Sequence, residues 1–224
     1  MAISKTVDGH FLKGESFVYD FSVPMALVDY IPVILFGYAV LVLQRDLYLH
    51  MRKGCFALFA AGSINVFCAG FCKATWKLLY AAGICDFAAL NTMFLPVQSI
   101  GFLLIGLGLL GMFFRKEKTV LLAVPPVFKG TFLFIGMMVA GLGCMCACLS
   151  VIAARMKKLP AIVLFLLAFV GSMGMGYMSS HDSTSAIVNW IEQGINTVSQ
   201  GCLMAGVILL DKAGLREFDM IKQG

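Results

Sequence analysis

Asn189, Glu192, Gln193, Asn196 and Gln200 interrupt an otherwise apolar stretch, Ala186 to Leu210. On an α-helix Glu192, Asn196 and Gln200 follow at i, i+4 and i+8 and share one face, bordered by Asn189 and Gln193. A second polar set falls in "SINVFCAGFCKATWKLLY", where Asn65, Lys73 and Lys77 form a stripe flanked by Trp76 and Tyr80. Asp29 and Tyr30 stand just before Pro32, and Gln98 and Ser99 sit in a third apolar run. A charge held in hydrocarbon costs at least ~2.5–3.5 kcal/mol, so such residues face a cavity or a partner. Two acids, two lysines and several amides can hold a small polar or zwitterionic solute. Glu192 would be the ligand-binding or coupling carboxylate, and Lys73 its counter-charge or the anchor of a substrate carboxylate. Gln98, Asn196 and Gln200 would orient the ligand, Asp29 and Lys77 would complete the polar layer, and Trp76 and Tyr80 would flank it. The competing reading is structural: amides as interhelical glue worth ~0.6–2 kcal/mol each, Lys77 reaching to the interface, and a Glu192–Lys73 pair that only locks helices.

These side chains need a scaffold in lipid. The 224 residues are 60% hydrophobic and 13% charged, with a mean hydropathy of +0.92. A soluble domain is about half apolar and a quarter charged. Apolar runs cover 25–44, 55–83, 92–114, 131–153, 160–180 and 186–210, several approaching the ~20 residues that cross a bilayer core. A further piece, "TVLLAVPPVF" at 119–128, is about half that length. The expectation is an all-α polytopic transmembrane bundle. At ~1.5 Å per residue, Glu192, Gln98 and Lys77 each fall about 9 Å from the same membrane face, with Asp29 slightly shallower and Lys73 and Asn196 deeper.

Charge sets the number of spans and their sense. With seven spans and the N-terminus outside, twelve basic residues lie in the cytoplasm: Arg45, Arg52, Lys53, Arg115, Lys116, Lys118, Arg155, Lys157, Lys158, Lys212, Arg216 and Lys222. Only Lys5, Lys13 and Lys129 then lie outside. With six spans the tally is seven inside and eight outside. The positive-inside rule favours seven, with 119–128 as a short Pro-broken span. Residues 1–24 read as an extracytoplasmic segment with no cleavable signal, 25–210 as one bundle, and 211–224 as a cytoplasmic, interfacial tail. The net charge of +5 belongs to cytoplasmic loops and implies no nucleic acid.

"VQSIGFLLIGLGLL" and "VSQGCLMAGVILL" share glycine spacing, Gly101 and Gly106 against Gly201 and Gly206, and a basic turn ("HMRKG", "ARMKK") precedes the second helix of each half. Repeats at 25–114 and 131–210, joined by a linker at 115–130, would be parallel and related about the membrane normal. In this 3+1+3 plan the chain resembles the class that contains SWEET sugar transporters, vitamin-uptake carriers and microbial rhodopsins. It departs from their motifs. In "LPVQSIG", Val97 separates the Pro and Gln that adjoin in the sugar transporters, and no lysine between Ala186 and Leu210 can attach retinal.

Other motifs carry less. "GLGLLG" at 106–111 matches a dinucleotide fingerprint but follows no strand, so close helix packing explains it, as it does "GSMGMG" at 171–176. Cys144 with Cys148, and Cys68 with Cys72, could hold zinc only if their faces met. His181 and Asp182 sit in an outer turn where Asp182, Ser183 or Ser185 caps the last helix. No Ser/His/Asp or Cys/His set points to an enzyme, and no cofactor or metal is expected. The expected function is a carrier for a small polar or zwitterionic solute in the plasma (inner) membrane. The alternatives are a seven-helix receptor without retinal and an intramembrane enzyme. The partners are the bilayer and the solute, with a homo-oligomer or a signalling partner also open.

Overall fold

The computed structural model describes residues 21–113, 131–179 and 185–218. In chain order the helices are α1 (Val23–Val28), α2 (Tyr30–Leu47), α3 (Lys53–Ala81), α4 (Ala88–Thr92), α5 (Phe94–Leu110), α6 (Thr131–Arg155), α7 (Leu159–Ser179) and α8 (Ala186–Lys212), with a final 3-10 turn at Leu215–Glu217. The described residues include no strand. Six spans among them are long and apolar enough to cross a membrane: Val23–Leu47, Lys53–Ala81, Ala88–Leu110, Phe132–Arg155, Leu159–Met178 and Ala186–Lys212. Large apolar side chains such as Ile34, Leu41, Ile64, Leu166 and Val198 point outward, while Phe59, Ile105, Met145, Leu149, Phe165 and Leu210 fill the interior. A packed core inside an apolar coat is the make-up of an integral membrane protein. The short piece at 119–128, expected as a seventh span, lies outside the described residues.

Two runs expected to be continuous helices are broken. The first breaks at Asp29, between α1 and α2, and the third at Met93, between α4 and α5. Each break stands three residues before a proline, Pro32 and Pro96. Proline has no N–H, so the carbonyl four residues back (Val28, Thr92) loses its helical partner and the chain can turn there. After the break, each proline occupies the first turn of the new helix, where a missing N–H is tolerated. Two helices end in left-handed residues. Gly83, at φ +67°, ends α3, with Ile84 N–H bonded to the Leu79 carbonyl at 3.0 Å. Lys157, at φ +56°, takes the same role after α6, with Lys158 N–H on the Ala153 carbonyl at 2.8 Å.

The helices form a closed ring in chain order, α2–α3–α5–α6–α7–α8, with α8 returning to pack on α2. Contacts along each seam give the directions. Gly62 of α3 faces Gly101 of α5 while Cys55 and Phe59 face Gly108, so α3 and α5 are antiparallel. Gly171 of α7 faces Ser199 of α8 while Phe165 faces Gly206, again antiparallel. By contrast, Gln98 of α5 shares a cavity wall with Ile135 of α6, Gly106 faces Gly141, and Phe113 lies under Arg155. Thus α5 and α6 are parallel. So are α2 and α8, which share a cavity wall near Asp29 and Glu192 and an Arg45–Asp211 ion pair at the far end. The sense of α2, α3 and α5 is therefore repeated by α6, α7 and α8. The expected glycine pairs behave unequally: Gly101, Gly106 and Gly206 each sit against a neighbouring helix, whereas nothing lies within 4 Å of a Cβ built on Gly201.

The described part of the tail, up to Phe218, folds back on the bundle. Leu215 is fully buried, its turn packs on α2, and the His50 ring nitrogen bonds the Arg216 carbonyl at 2.9 Å. One leucine at the right distance from Gly214, which turns the chain at φ +85°, ties the segment down.

Candidate functional site

The polar residues of four helices meet in one cavity of about 90 Å³ near the Asp29 end. Its wall includes Asp29 from the α1–α2 break, Lys73 and Lys77 from α3, Gln98 from α5, and Glu192, Gln193, Asn196 and Gln200 from α8. Helical period explains the alignment. Lys73 and Lys77, and Glu192, Asn196 and Gln200, are each four apart and stack on one face. The breaks leave Asp29, between α1 and α2, and Phe94, the first residue of α5, in the cavity wall.

Lys77 Nζ lies 2.9 Å from Asp29 Oδ2, and both side chains are almost fully buried. This pair joins α3 to the α1–α2 break, a partnership not anticipated from the sequence. Lys77 is 5% exposed, so it does not reach out to an interface. Lys73 Nζ instead sits 4.1 Å from the centre of the Phe94 ring, a cation–π contact. Lys73 also feels the charges of Lys77, Asp29 and Glu192. Two positive and two negative groups thus share one layer. Asp29 Oδ1, Gln193 Oε1 and Gln200 Oε1 are buried with no hydrogen-bond partner among the described residues, and their residues all line the cavity. Buried acceptors of this kind are rare in folded proteins, and a ligand group or bound water commonly satisfies them.

Apolar residues make the rest of the wall: Pro32, Val33 and Phe36 of α2, Val66, Phe67, Gly70 and Ala74 of α3, Phe94 and Phe102 of α5, and Met175 of α7. Phe36 and Phe102 meet edge-on, centroids 6.0 Å apart, on the side toward the Arg45 end. Sequence reasoning missed these, because a phenylalanine in an apolar helix is equally at home against lipid. Gln193 was taken only as a border residue, and it is buried in the wall.

Trp76 and Tyr80 do not line the cavity, contrary to their expected flanking role. Trp76 is about 100° round the helix from Lys77. Its indole N–H donates to Asp86 Oδ1 at 2.9 Å, and both rings pack edge-on against Phe21. They hold the chain before α1 and the loop after α3 over the cavity's end. Phe21 in turn lies 5.1 Å from Lys77 Nζ. Tyr30 OH donates to Thr75 Oγ1 at 2.9 Å, since the Thr75 hydroxyl hydrogen goes to the Phe71 carbonyl.

The remaining candidates fall elsewhere. Ser99 bonds the Leu95 carbonyl of its own helix, Ser199 bonds that of Ile195, and Asn189 donates to the Ser185 carbonyl. Ser185 is the N-cap of α8 without a side-chain cap bond; His181, Asp182 and Ser183 lie outside the described residues. Gly106 and Gly108 of "GLGLLG" sit against α6 and α3, as packing predicts, whereas Gly174 and Gly176 of "GSMGMG" touch no neighbour with a built Cβ. Among the described residues, no three or more His, Cys, Asp or Glu side chains group as a metal site. No protein-family model, curated protein or solved structure matches the chain.

Proposed function

We propose that the protein is a membrane carrier for a small polar or zwitterionic solute, held among α2, α3, α5 and α8. The observation that carries this reading is the wall of the cavity. Carboxylates, ammonium groups and amides from four apolar helices face one another, and buried acceptors on Asp29, Gln193 and Gln200 have no partner among the described residues. Such groups are costly in a membrane interior and mark ligand or ion pathways. The balanced charges suit a ligand carrying both signs. The edge-on Phe36–Phe102 pair separates the cavity from the packed half of the bundle, and helices broken before Pro32 and Pro96 give that barrier elements able to shift.

The same reading takes seven crossings, with the Asp29 end outside. The parallel course of α5 and α6, which puts the end of one and the start of the other at opposite ends of the bundle, supports that count. Every described arginine and lysine other than Lys73 and Lys77 lies at the Arg45 end, the distribution that faces cytoplasm. The plasma (inner) membrane is the location this implies.

A receptor is the second reading. Arg45 of α2 pairs with Asp211 of α8, so two cavity-lining helices are tied together at the far end, where a partner could sense their movement. A thermal-shift screen of zwitterionic metabolites tests the pocket, with Glu192→Gln and Lys73→Met run beside the wild type. A ligand that stabilises the wild type and neither variant is the expected result; ligand-induced stabilisation preserved in both variants would sink the site. Flux of that ligand into proteoliposomes then separates carrier from receptor.

A further inference from the structure

A second cavity, about 390 Å³, adjoins the polar one between α5, α6 and α7. Its wall is apolar and rich in methionine, with Ile135, Met138, Val139 and Met173 among its residues. Lys73, Phe94, Gln98 and Met175 line both spaces. The polar space alone holds little more than a charged head group, whereas ligand pockets usually run to ~300–1,000 Å³. At the junction stands the Lys73 ammonium, resting on the Phe94 ring, while Lys77 is neutralised by Asp29. Glu192 faces the polar side only. Polar and apolar chambers with a cation between them match a molecule whose head bears both charges and whose side group is apolar.

Resting on the reading of the polar cavity as a solute site, we propose that the ligand is an α-amino acid, or a zwitterion of like shape, with a large apolar side chain. Its carboxylate meets Lys73 and Gln98, its ammonium meets Glu192, and its side chain enters the methionine-lined chamber. Methionine suits this chamber because it is unbranched and polarizable and adapts to aliphatic and aromatic groups alike.

The test is equilibrium binding of glycine, alanine, leucine and phenylalanine to the full chain in lipid nanodiscs, with empty nanodiscs as background. Phenylpropionate and phenethylamine, each lacking one charge, are run as controls. The side-chain chamber is filled by Gly176→Leu, where an added Cβ meets nothing within 4 Å. Gly174→Leu on the same helix is equally unobstructed and does not line the chamber, so it controls for folding. Affinity should rise from alanine to phenylalanine by about ten- to a hundredfold, the effect of burying such a side chain. Gly176→Leu should abolish that rise, Gly174→Leu should alter neither the rise nor alanine binding, and both one-charge controls should bind at least tenfold more weakly than phenylalanine. A rise that survives in Gly176→Leu, equal binding across the series, or no binding of any member overturns the proposal. Binding of other small zwitterions, lost in Glu192→Gln and Lys73→Met, would leave the carrier reading standing in each case. If those variants bind as the wild type does, that reading falls separately.

Discussion

At the scale of single residues, the Lys77–Asp29 pair decides how the polar layer tolerates change. Removing one partner leaves a buried charge uncompensated, typically a loss of ~3–5 kcal/mol. Lys77→Met should therefore lower the melting temperature sharply, and the double variant Asp29→Asn/Lys77→Met should recover much of that loss. A double variant no more stable than the single one would show that the pair is not what holds α1 to α3. The charged members of this layer were legible in the sequence, because a lysine or glutamate amid leucine and valine has few places to go. Their partners were not. Nothing in the spacing distinguishes Lys77–Asp29 from Lys73–Glu192, since the choice depends on how α1 tilts at its break. Phe94 and Phe21 were illegible for a different reason: aromatic rings satisfy lipid, protein and cation alike.

At the scale of helices, glycine decides which seams are tight. A Cβ on Gly141 would meet the α5 backbone at Phe102 and Leu103, which cannot move aside as a flexible side chain can. Gly141→Ala should thus destabilise by ~1–3 kcal/mol, as overpacking does. Gly174→Ala, with open space round it, should be neutral or stabilise by up to ~1 kcal/mol through helix propensity. Melting curves of the two variants compare them directly, and equal shifts would contradict the tight α5–α6 seam. A third variant addresses the α6–α7 turn. Lys157 holds a left-handed conformation that glycine adopts without strain, so Lys157→Gly should raise stability by about 1 kcal/mol. Six helices and their rough limits followed from apolar run length. The breaks at Asp29 and Met93 did not, because a proline in an apolar run permits a kink, a break or a straight helix start, and neighbouring helices choose among them.

At the scale of the whole molecule, the distribution of charge gives the bundle two unlike ends. Cys85 is exposed in the loop at the Asp29 end. In intact cells a membrane-impermeant maleimide should label it, while Lys158→Cys, at the opposite end, should react only after permeabilisation; the reverse pattern would invert the proposed sidedness. This division was visible in the sequence through its charge tally, whereas the parallel course of α5 and α6 was not, because no local pattern encodes it. The parallel seam between α2 and α8 has one more consequence. The first and last spans are neighbours, but the chain enters one and leaves the other at opposite ends of the bundle. A short soluble linker from Phe218 back to Val23 cannot close a circular permutant of the described helices: it would have to run the full height of the bundle. Cutting the ring at any loop and rejoining it elsewhere therefore demands an additional span, and the order of helices in this chain is not interchangeable with its rotations.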